Sequence, residues 1–201
     1  YIGADFTITK ALTAIEDGDS NPATDTLSDT IITFGDSDIL LTSTSSNTAD
    51  YTFTSSDSSV ASITTTSTNT ASIRNMGVGS AEITISQAAD ANYQAKTVTY
   101  TLTVDPLAVT LTPTATQSKT YGEADLTLTY TTTPALSSSL NNSSTVTFTG
   151  SLSRTTNDSS ENAGTYSITI GTLTNTNYDI TLNPETFAIN KKTITVSGIT
   201  A

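Results

Sequence analysis

The feature that most constrains the fold of this chain is an internal repeat. Residues 33–42 read TFGDSDILLT and residues 120–129 read TYGEADLTLT, so the two copies lie 87 residues apart (120 − 33). Residues 78–85 (VGSAEITI) and 163–170 (AGTYSITI) follow in the same order at an offset of 85 (163 − 78). Landmarks that recur in one order at a nearly constant offset predict two tandem copies of one kind of module.

The residues within the repeat indicate β-strands. Thr alternates with Ile or Val in runs such as 168–170 and 193–196, which places apolar side chains on one face of a strand and Thr on the other. Apolar residues make up 35% of the chain, which allows a small core in each module. We therefore expect an all-β protein made of two tandem Ig-like β-sandwich modules.

The landmarks also predict where each module begins and ends. Residues 6–10 (FTITK) align with residues 187–191 (FAINK), which predicts a strand like the one that closes the second module. The alternative is that residues 6–10 form the first strand of the module that follows. Pro106 interrupts the strand ladder after Asp105 and predicts the junction there. The expected divisions are a closing strand of a preceding repeat (1–10), a first module (11–105), a second module (106–192), and a segment that extends the closing strand or starts the next repeat (193–201).

Charge and composition exclude several classes of function. The net charge is −12 and the pI is about 4.1, so the chain would be repelled by nucleic acid and by anionic membranes. The chain has no His and no Cys, so serine and cysteine triads, zinc sites of the usual kind and disulfides are excluded. We therefore expect no enzymatic activity, no nucleic-acid partner and no membrane insertion.

One acidic loop raises the question of a metal ion. Asp17, Asp19 and Asn21 alternate along the chain, as oxygen ligands of calcium often do. An EF-hand loop counted from Asp17 requires Gly at its sixth position and Glu at its twelfth, where this chain has Pro22 and Ser28. We favour a solvated loop between modules, with calcium bound by Asp17, Asp19 and Asn21 as the alternative and no other cofactor.

Two carboxylates in the repeated turn could be taken for a catalytic pair. Asp36 and Asp38 of the first copy recur as Glu123 and Asp125 of the second. Recurrence in a turn favours a structural role, because nothing else expected of an acid/base site accompanies the pair. We therefore assign no catalytic residues.

A few other side chains could carry binding or covalent chemistry. Tyr51, Tyr121 and Tyr130 are candidates for stacking against sugar rings, although we expect them to be core residues or turn anchors. Lys96 and Lys119 could form a Lys–Asn isopeptide bond, but no local signature supports one, and lysine is usually exposed.

The first module resembles the bacterial immunoglobulin-like group 2 family over residues 30–105. The motifs that carry the resemblance are SSDSSVASI at 55–63, NMGVGSAEITI at 75–85 and ANY at 91–93. The resemblance implies an Ig-like β-sandwich of the kind that occurs in tandem in bacterial surface proteins and adhesins. It carries no catalytic residues.

The second module, residues 107–192, resembles the MBG family in its Tyr-Gly-x form. The motifs include SKTYGEAD at 118–125, NAGTYSITIGTL at 162–173 and FAINKK at 187–192. The resemblance implies a module of long arrays in bacterial adhesins, associated with mucin-binding proteins. Residues 131–145 depart from the family pattern, and a short helix at 135–140 would make a β-grasp arrangement the alternative to a sandwich.

These features together predict a non-catalytic piece of a large secreted or surface-anchored bacterial adhesin. We expect it to act as an extracellular stalk or spacer whose partners are the neighbouring repeats of the same polypeptide. One alternative is a glycan- or mucin-binding module, with or without dependence on calcium. A second alternative is an accessory domain of a secreted polysaccharide-degrading enzyme.

Overall fold

A computed structural model describes residues 29–135, 148–156 and 161–198 of the chain. These ranges consist of β-strands joined by turns and loops and contain no helix, so none that could cross a membrane. The strands are β1 (Thr30–Thr33), β2 (Ile39–Thr42), β3 (Tyr51–Ser55), β4 (Ala61–Ser67), β5 (Thr70–Asn75), β6 (Gly79–Gln87), β7 (Lys96–Asp105), β8 (Leu107–Pro113), β9 (Ser118–Thr120), β10 (Tyr130–Thr133), β11 (Ser153–Arg154), β12 (Gly164–Thr169), β13 (Tyr178–Leu182) and β14 (Thr186–Asn190).

The described residues divide into two compact units, with the division between Leu107 and Ala108. In the first unit, one sheet has the strand order β1-β7-β6-β3 and the other has the order β2-β5-β4. Phe53 of β3, Ile85 of β6 and Val98 of β7 pack in one cluster with Ala71 of β5, which belongs to the other sheet. A core shared by two facing sheets makes this unit a β-sandwich.

The second unit also has two sheets, in the orders β10-β8-β13 and β11-β12-β14-β9. Val109 and Leu111 of the first sheet are buried, as are Ile168, Phe187 and Ile189 of the second. The alternation of these residues with Thr, Ser and Ala gives each strand one buried face. The sequence allowed a short helix at 135–140 as an alternative. Residues 136–140 of that segment lie outside the described ranges.

The four-stranded sheets of the two units follow the same plan. In each, the last strand of the unit lies between a parallel early strand and an antiparallel neighbour: β1-β7-β6 in the first unit and β9-β14-β12 in the second. This arrangement confirms the expected fold class of two tandem Ig-like β-sandwiches.

Candidate functional site

The two units share a feature that we call the parallel closing pair, which is β1 with β7 in the first unit and β9 with β14 in the second. Both pairs are parallel, with Thr33 opposite Asp105 and Thr120 opposite Asn190. The contact continues one residue beyond each early strand. There the amide of Phe34 donates to the carbonyl of Asp105 at 2.8 Å, and the amide of Tyr121 to that of Asn190 at 2.9 Å.

The sequence motif of the repeat builds the turn that follows this bond. In the first unit, the amide of Asp36 donates to the carbonyl of Thr33 at 3.0 Å, and the carboxylate of Asp36 accepts from the amide of Thr33 at 2.8 Å. Gly35 has φ = +93°, a conformation that glycine adopts without the steric cost that a Cβ imposes. Asp36 therefore holds the turn closed by two hydrogen bonds.

The second unit repeats this turn with a longer acid. The amide of Glu123 donates to the carbonyl of Thr120 at 3.0 Å, and its carboxylate accepts from the amide of Thr120 at 3.0 Å. Gly122 has φ = +86°, and Tyr121 before it has a negative φ, which is the pattern of a type II turn. The recurring acid of the motif is thus engaged in the turn in both units.

The second carboxylate of the motif also has the same kind of partner in both units. Asp38 lies 3.3 Å from the guanidinium of Arg74, and Asp125 lies 3.0 Å from that of Arg154. A guanidinium carries a permanent positive charge and attracts a carboxylate. The structure therefore gives these carboxylates partners that stabilise the fold.

In the second unit this ion pair is part of a larger cluster of charges. The ammonium of Lys119 lies 2.7 Å from Asp125 and 2.7 Å from Glu161, and Arg154 contacts both acids. The side chains of Lys119 and Arg154 are only 2% and 6% exposed, whereas the two acids are about half exposed. The apolar rings of Tyr166 and Phe187 lie under the guanidinium, at 5.1 and 5.8 Å from its carbon.

The contacts of this cluster shift the pKa values of Lys119 and Asp125. Hydrogen bonds to Asp125 and Glu161 raise the pKa of Lys119. Burial opposes ionisation of Asp125, but hydrogen bonds from Lys119 and Arg154 outweigh it and hold the pKa of that carboxyl below its usual value. Lys119 therefore stays an ammonium, which has no lone pair with which to form an isopeptide bond. The expectation that this lysine is exposed is wrong, because two acids compensate its burial.

The first unit contains a second feature, which we call the polar cavity. It has a volume of about 320 Å³ and lies between residues 43–51, the turn at Thr68 and Asn69, and the end of β6 at Gln87. Gln87 is 2% exposed, and its amide nitrogen donates to the carbonyl of Ala49 at 2.6 Å. The wall of the cavity is thus anchored to the core sheet.

Ser43 is the unusual residue of the polar cavity. It is fully buried, and its hydroxyl has no hydrogen-bond partner within the described part of the chain. A buried hydroxyl without a partner costs about 1–3 kcal/mol. No sequence motif pointed to this residue, because the cavity brings together segments that are far apart in the chain.

The aromatic candidates have three different environments. Tyr51 is buried and stacks on Phe53 with ring centroids 6.2 Å apart. Tyr121 is 48% exposed and Tyr130 is partly exposed, with its ring 6.3 Å from that of Phe148. The structure therefore does not bring the three rings to one surface.

The calcium candidates Asp17, Asp19 and Asn21 lie outside the described residues. Within the described ranges, no group of three or more Asp and Glu residues is placed to hold a metal ion. Lys96 begins β7 and is partly exposed.

The comparisons with known proteins bear on the second unit. Residues 109–188 match the family model of the MBG domain, YGX type. An MBG domain at this place confirms that part of the predicted resemblance. The resemblance of residues 30–105 to the bacterial Ig-like group 2 family stays a prediction. The comparison with curated proteins finds no match.

Solved structures give distant likenesses. One is a fragment of the titin I-band, at 12% identity and a TM-score of 0.32, covering 83% of this chain and 62% of that one. Another is the endo-fucoidan hydrolase MfFcnA4 of glycoside hydrolase family 107, at 11% identity and a TM-score of 0.35, covering 84% of this chain and 28% of that one. The chain thus spans less than two thirds of the length of either protein, and likenesses of this degree carry no argument about function.

Proposed function

We propose that this chain is a non-catalytic stalk segment of a large bacterial surface adhesin, located outside the cell, and that it bears tension between neighbouring repeats of the same polypeptide. The observation that carries the proposal is the parallel closing pair, which each unit has. The MBG match over residues 109–188 supports it, since the resemblance implies modules that occur in arrays in adhesins.

A parallel closing pair resists stretching because of its geometry. Two parallel strands start at one end of the sheet and finish at the other. When the chain is stretched, the start of β1 and the end of β7 are pulled in opposite directions along the strands. The hydrogen bonds between the strands are then loaded together rather than broken one at a time.

In the second unit the chain passes through β8 before it reaches β9. β8 pairs antiparallel with β10 in the other sheet. Once β8 has separated under tension, the β9–β14 pair still connects the two stretched ends. The bond from Tyr121 to Asn190 extends this pair into the turn, so that the turn motif of the repeat becomes part of the load-bearing element.

The surface of the chain suits a crowded array of such stalks. A net charge of −12 on 201 residues makes neighbouring copies repel each other. Repulsion between copies disfavours the pairing of exposed sheet edges, which is the usual route to aggregation of β-proteins.

A second candidate function is glycan or mucin binding, and the polar cavity is the observation that favours it. Calcium dependence of such binding would involve Asp17, Asp19 and Asn21. The accessory domain of a polysaccharide-degrading enzyme is a third candidate, and no contact of the described residues favours it.

The stalk proposal can be tested by stretching the chain from its two ends and recording the force at which each unit opens. The Tyr121→Pro variant removes the amide that donates to Asn190, and proline suits the second position of a type II turn. The Tyr121→Ala variant removes the same ring but keeps the amide. We expect Tyr121→Pro to lower the opening force of the second unit and Tyr121→Ala to leave it nearly unchanged.

The first unit serves as an internal reference in the same recordings, because neither substitution touches it. Equal opening forces for Tyr121→Pro and the unaltered chain would contradict the proposal, since the closing pair would then not be the element that resists tension.

A further inference from the structure

The polar cavity of the first unit has the chemistry of a binding site for an uncharged ligand. Its volume of about 320 Å³ lies at the lower end of the range of small-molecule sites. Hydroxyl and amide groups of Ser, Thr, Asn and Gln dominate its lining, and Asp50 is the charged residue among them. With no cation in this lining and a strongly negative chain, an anionic ligand would be repelled.

The wall of the cavity is held in place before any ligand arrives. The amide of Gln87 donates to the carbonyls of Asn47 and Ala49, and its oxygen accepts from the hydroxyl of Ser45 at 2.6 Å. The amide nitrogen of Asn47 in turn donates to the carbonyl of Ala88 at 2.8 Å. These bonds tie the loop at 45–49 to β6, so a ligand would not have to order it.

Ser43 supplies the observation that points to a guest in the cavity. Its side chain is fully buried in the cavity wall, and its hydroxyl has no partner in the described part of the chain. Buried hydroxyls are nearly always hydrogen-bonded in folded proteins. Once the Ser43 side chain turns toward the cavity, a guest that can both donate and accept hydrogen bonds would satisfy this hydroxyl.

We propose that the polar cavity binds a neutral, hydroxyl-rich ligand of the size of one pyranose ring. Such a ligand offers several hydroxyls that both donate and accept, which matches a wall of neutral amides and hydroxyls. Asp50 also lines the cavity, and a carboxylate can accept hydrogen bonds from two adjacent ring hydroxyls. The stalk function does not depend on this site, because the closing pair of the first unit involves other strands.

The probes are neutral monosaccharides and their methyl glycosides, with N-acetylneuraminic acid as the charged comparison. Binding is followed by nuclear magnetic resonance titration of the whole chain. We expect shifts confined to the amides around the cavity for at least one neutral sugar, and none for the acid. A methyl glycoside that binds as well as the free sugar indicates the end of a glycan, and weaker binding indicates a free sugar.

Ser43→Ala is the decisive variant, because the hydroxyl it removes has no partner whose loss could unfold the unit. We expect a higher melting temperature, because the variant removes a buried hydroxyl that has no partner, and an affinity for the sugar that is roughly fivefold to tenfold lower. Thr68→Trp, which adds a large ring at an exposed position of the cavity lining, should abolish binding, while Ser80→Ala on a distant part of β6 should change nothing. Titration with no shifts in the unaltered chain, or equal binding by Ser43→Ala, would overturn the proposal and leave water as the occupant.

Discussion

The main-chain amide of Tyr121 donates to the carbonyl of Asn190 at 2.9 Å. The first unit has the same bond from Phe34 to Asp105 at 2.8 Å. Backbone atoms make both bonds, so the residue types at their ends can differ between the units. This explains how Asp and Asn, or Phe and Tyr, occupy matching places while the closing pair keeps its geometry.

The side chains at this place are not equivalent. Phe34 is 4% exposed, whereas Tyr121 is 48% exposed. The two units therefore share their backbone conformation and strand order, but each unit has its own side-chain packing.

Two glycines with nearly the same φ provide a test of local packing in the second unit. Gly150 has φ = +83° and Gly122 has φ = +86°. A Cβ at Gly122 would meet no atom within 4 Å, whereas a Cβ at Gly150 would overlap the carbonyl oxygen of Thr172. We expect Gly122→Ala to lower the free energy of unfolding by about 1–2 kcal/mol, from the backbone conformation alone.

Gly150→Ala carries the same conformational cost and also forces the backbone at Thr172 to move. Its loss in urea unfolding should therefore clearly exceed that of Gly122→Ala. Equal losses for the two variants would show that the turn at Gly150 opens without cost.

We call Lys119, Arg154, Asp125 and Glu161 the ion cluster. Its charge balance predicts that the stability lost with one cation is partly regained when one acid is also neutralised. Residue 32, which precedes Lys119 by 87 residues in the repeat, is Ile. Lys119→Ile should lower the melting temperature of the second unit, because it leaves Asp125 and Glu161 with Arg154 as their shared cation. Adding Glu161→Gln to this variant should restore part of the loss.

The control for the ion cluster is Lys191→Gln, which removes the same charge from an exposed site. It should have little effect, since exposed charges contribute little to stability. A double variant less stable than Lys119→Ile alone would contradict the charge balance inferred for the cluster.

Acid stability should depend on Asp90. Hydrogen bonds from the amides of Thr48 and Asn92, with a further one from Tyr93, lower the pKa of Asp90 to about 2. A lowered carboxyl pKa contributes stability that is complete above the usual pKa of 3.8 and is lost as the pH falls toward 2. Asp90→Asn should therefore flatten the fall in melting temperature between these two values of pH.

Asp179→Asn is the matched variant for Asp90→Asn, because it removes one carboxylate from an exposed position in β13. Thermal unfolding across the acidic range should show the usual fall for this control. The same slope in both variants would mean that the three amides do not favour the ionised form of Asp90.

The fold of this chain was predictable where the signals are local. The glycine with positive φ, the short acid beside it and the alternation of Thr with apolar residues each act within a few residues. These signals predicted the strands, the repeated turn and the two-sheet architecture. The acids Asp36 and Glu123 were correctly assigned to the turn because they recur there.

The ion cluster and the polar cavity were not predictable, because each depends on contacts between distant segments. Lys119 meets Glu161 across 42 residues (161 − 119), and nothing in the sequence around either residue marks the pairing. Gln87 likewise bonds to residues near 47 only after the strands have paired. A lysine that is compensated by two acids has no local signature, so its burial could not be foreseen.

The most direct test of the load-bearing role is to pull the first unit in two directions. The chain has no cysteine, so pairs of cysteine handles can be placed at will. Handles at Asp29→Cys and Asp105→Cys load the β1–β7 bonds together, whereas handles at Asp29→Cys and Thr101→Cys open the same bonds one after another from the end at Thr30.

The amide of Thr101 donates a hydrogen bond to the carboxylate of Asp29. Both handle pairs lose this bond, because both contain Asp29→Cys, so they differ mainly in the direction of the force. We expect the first pair to require a clearly higher opening force than the second. Equal forces in the two directions would contradict the role of the parallel closing pair in bearing tension.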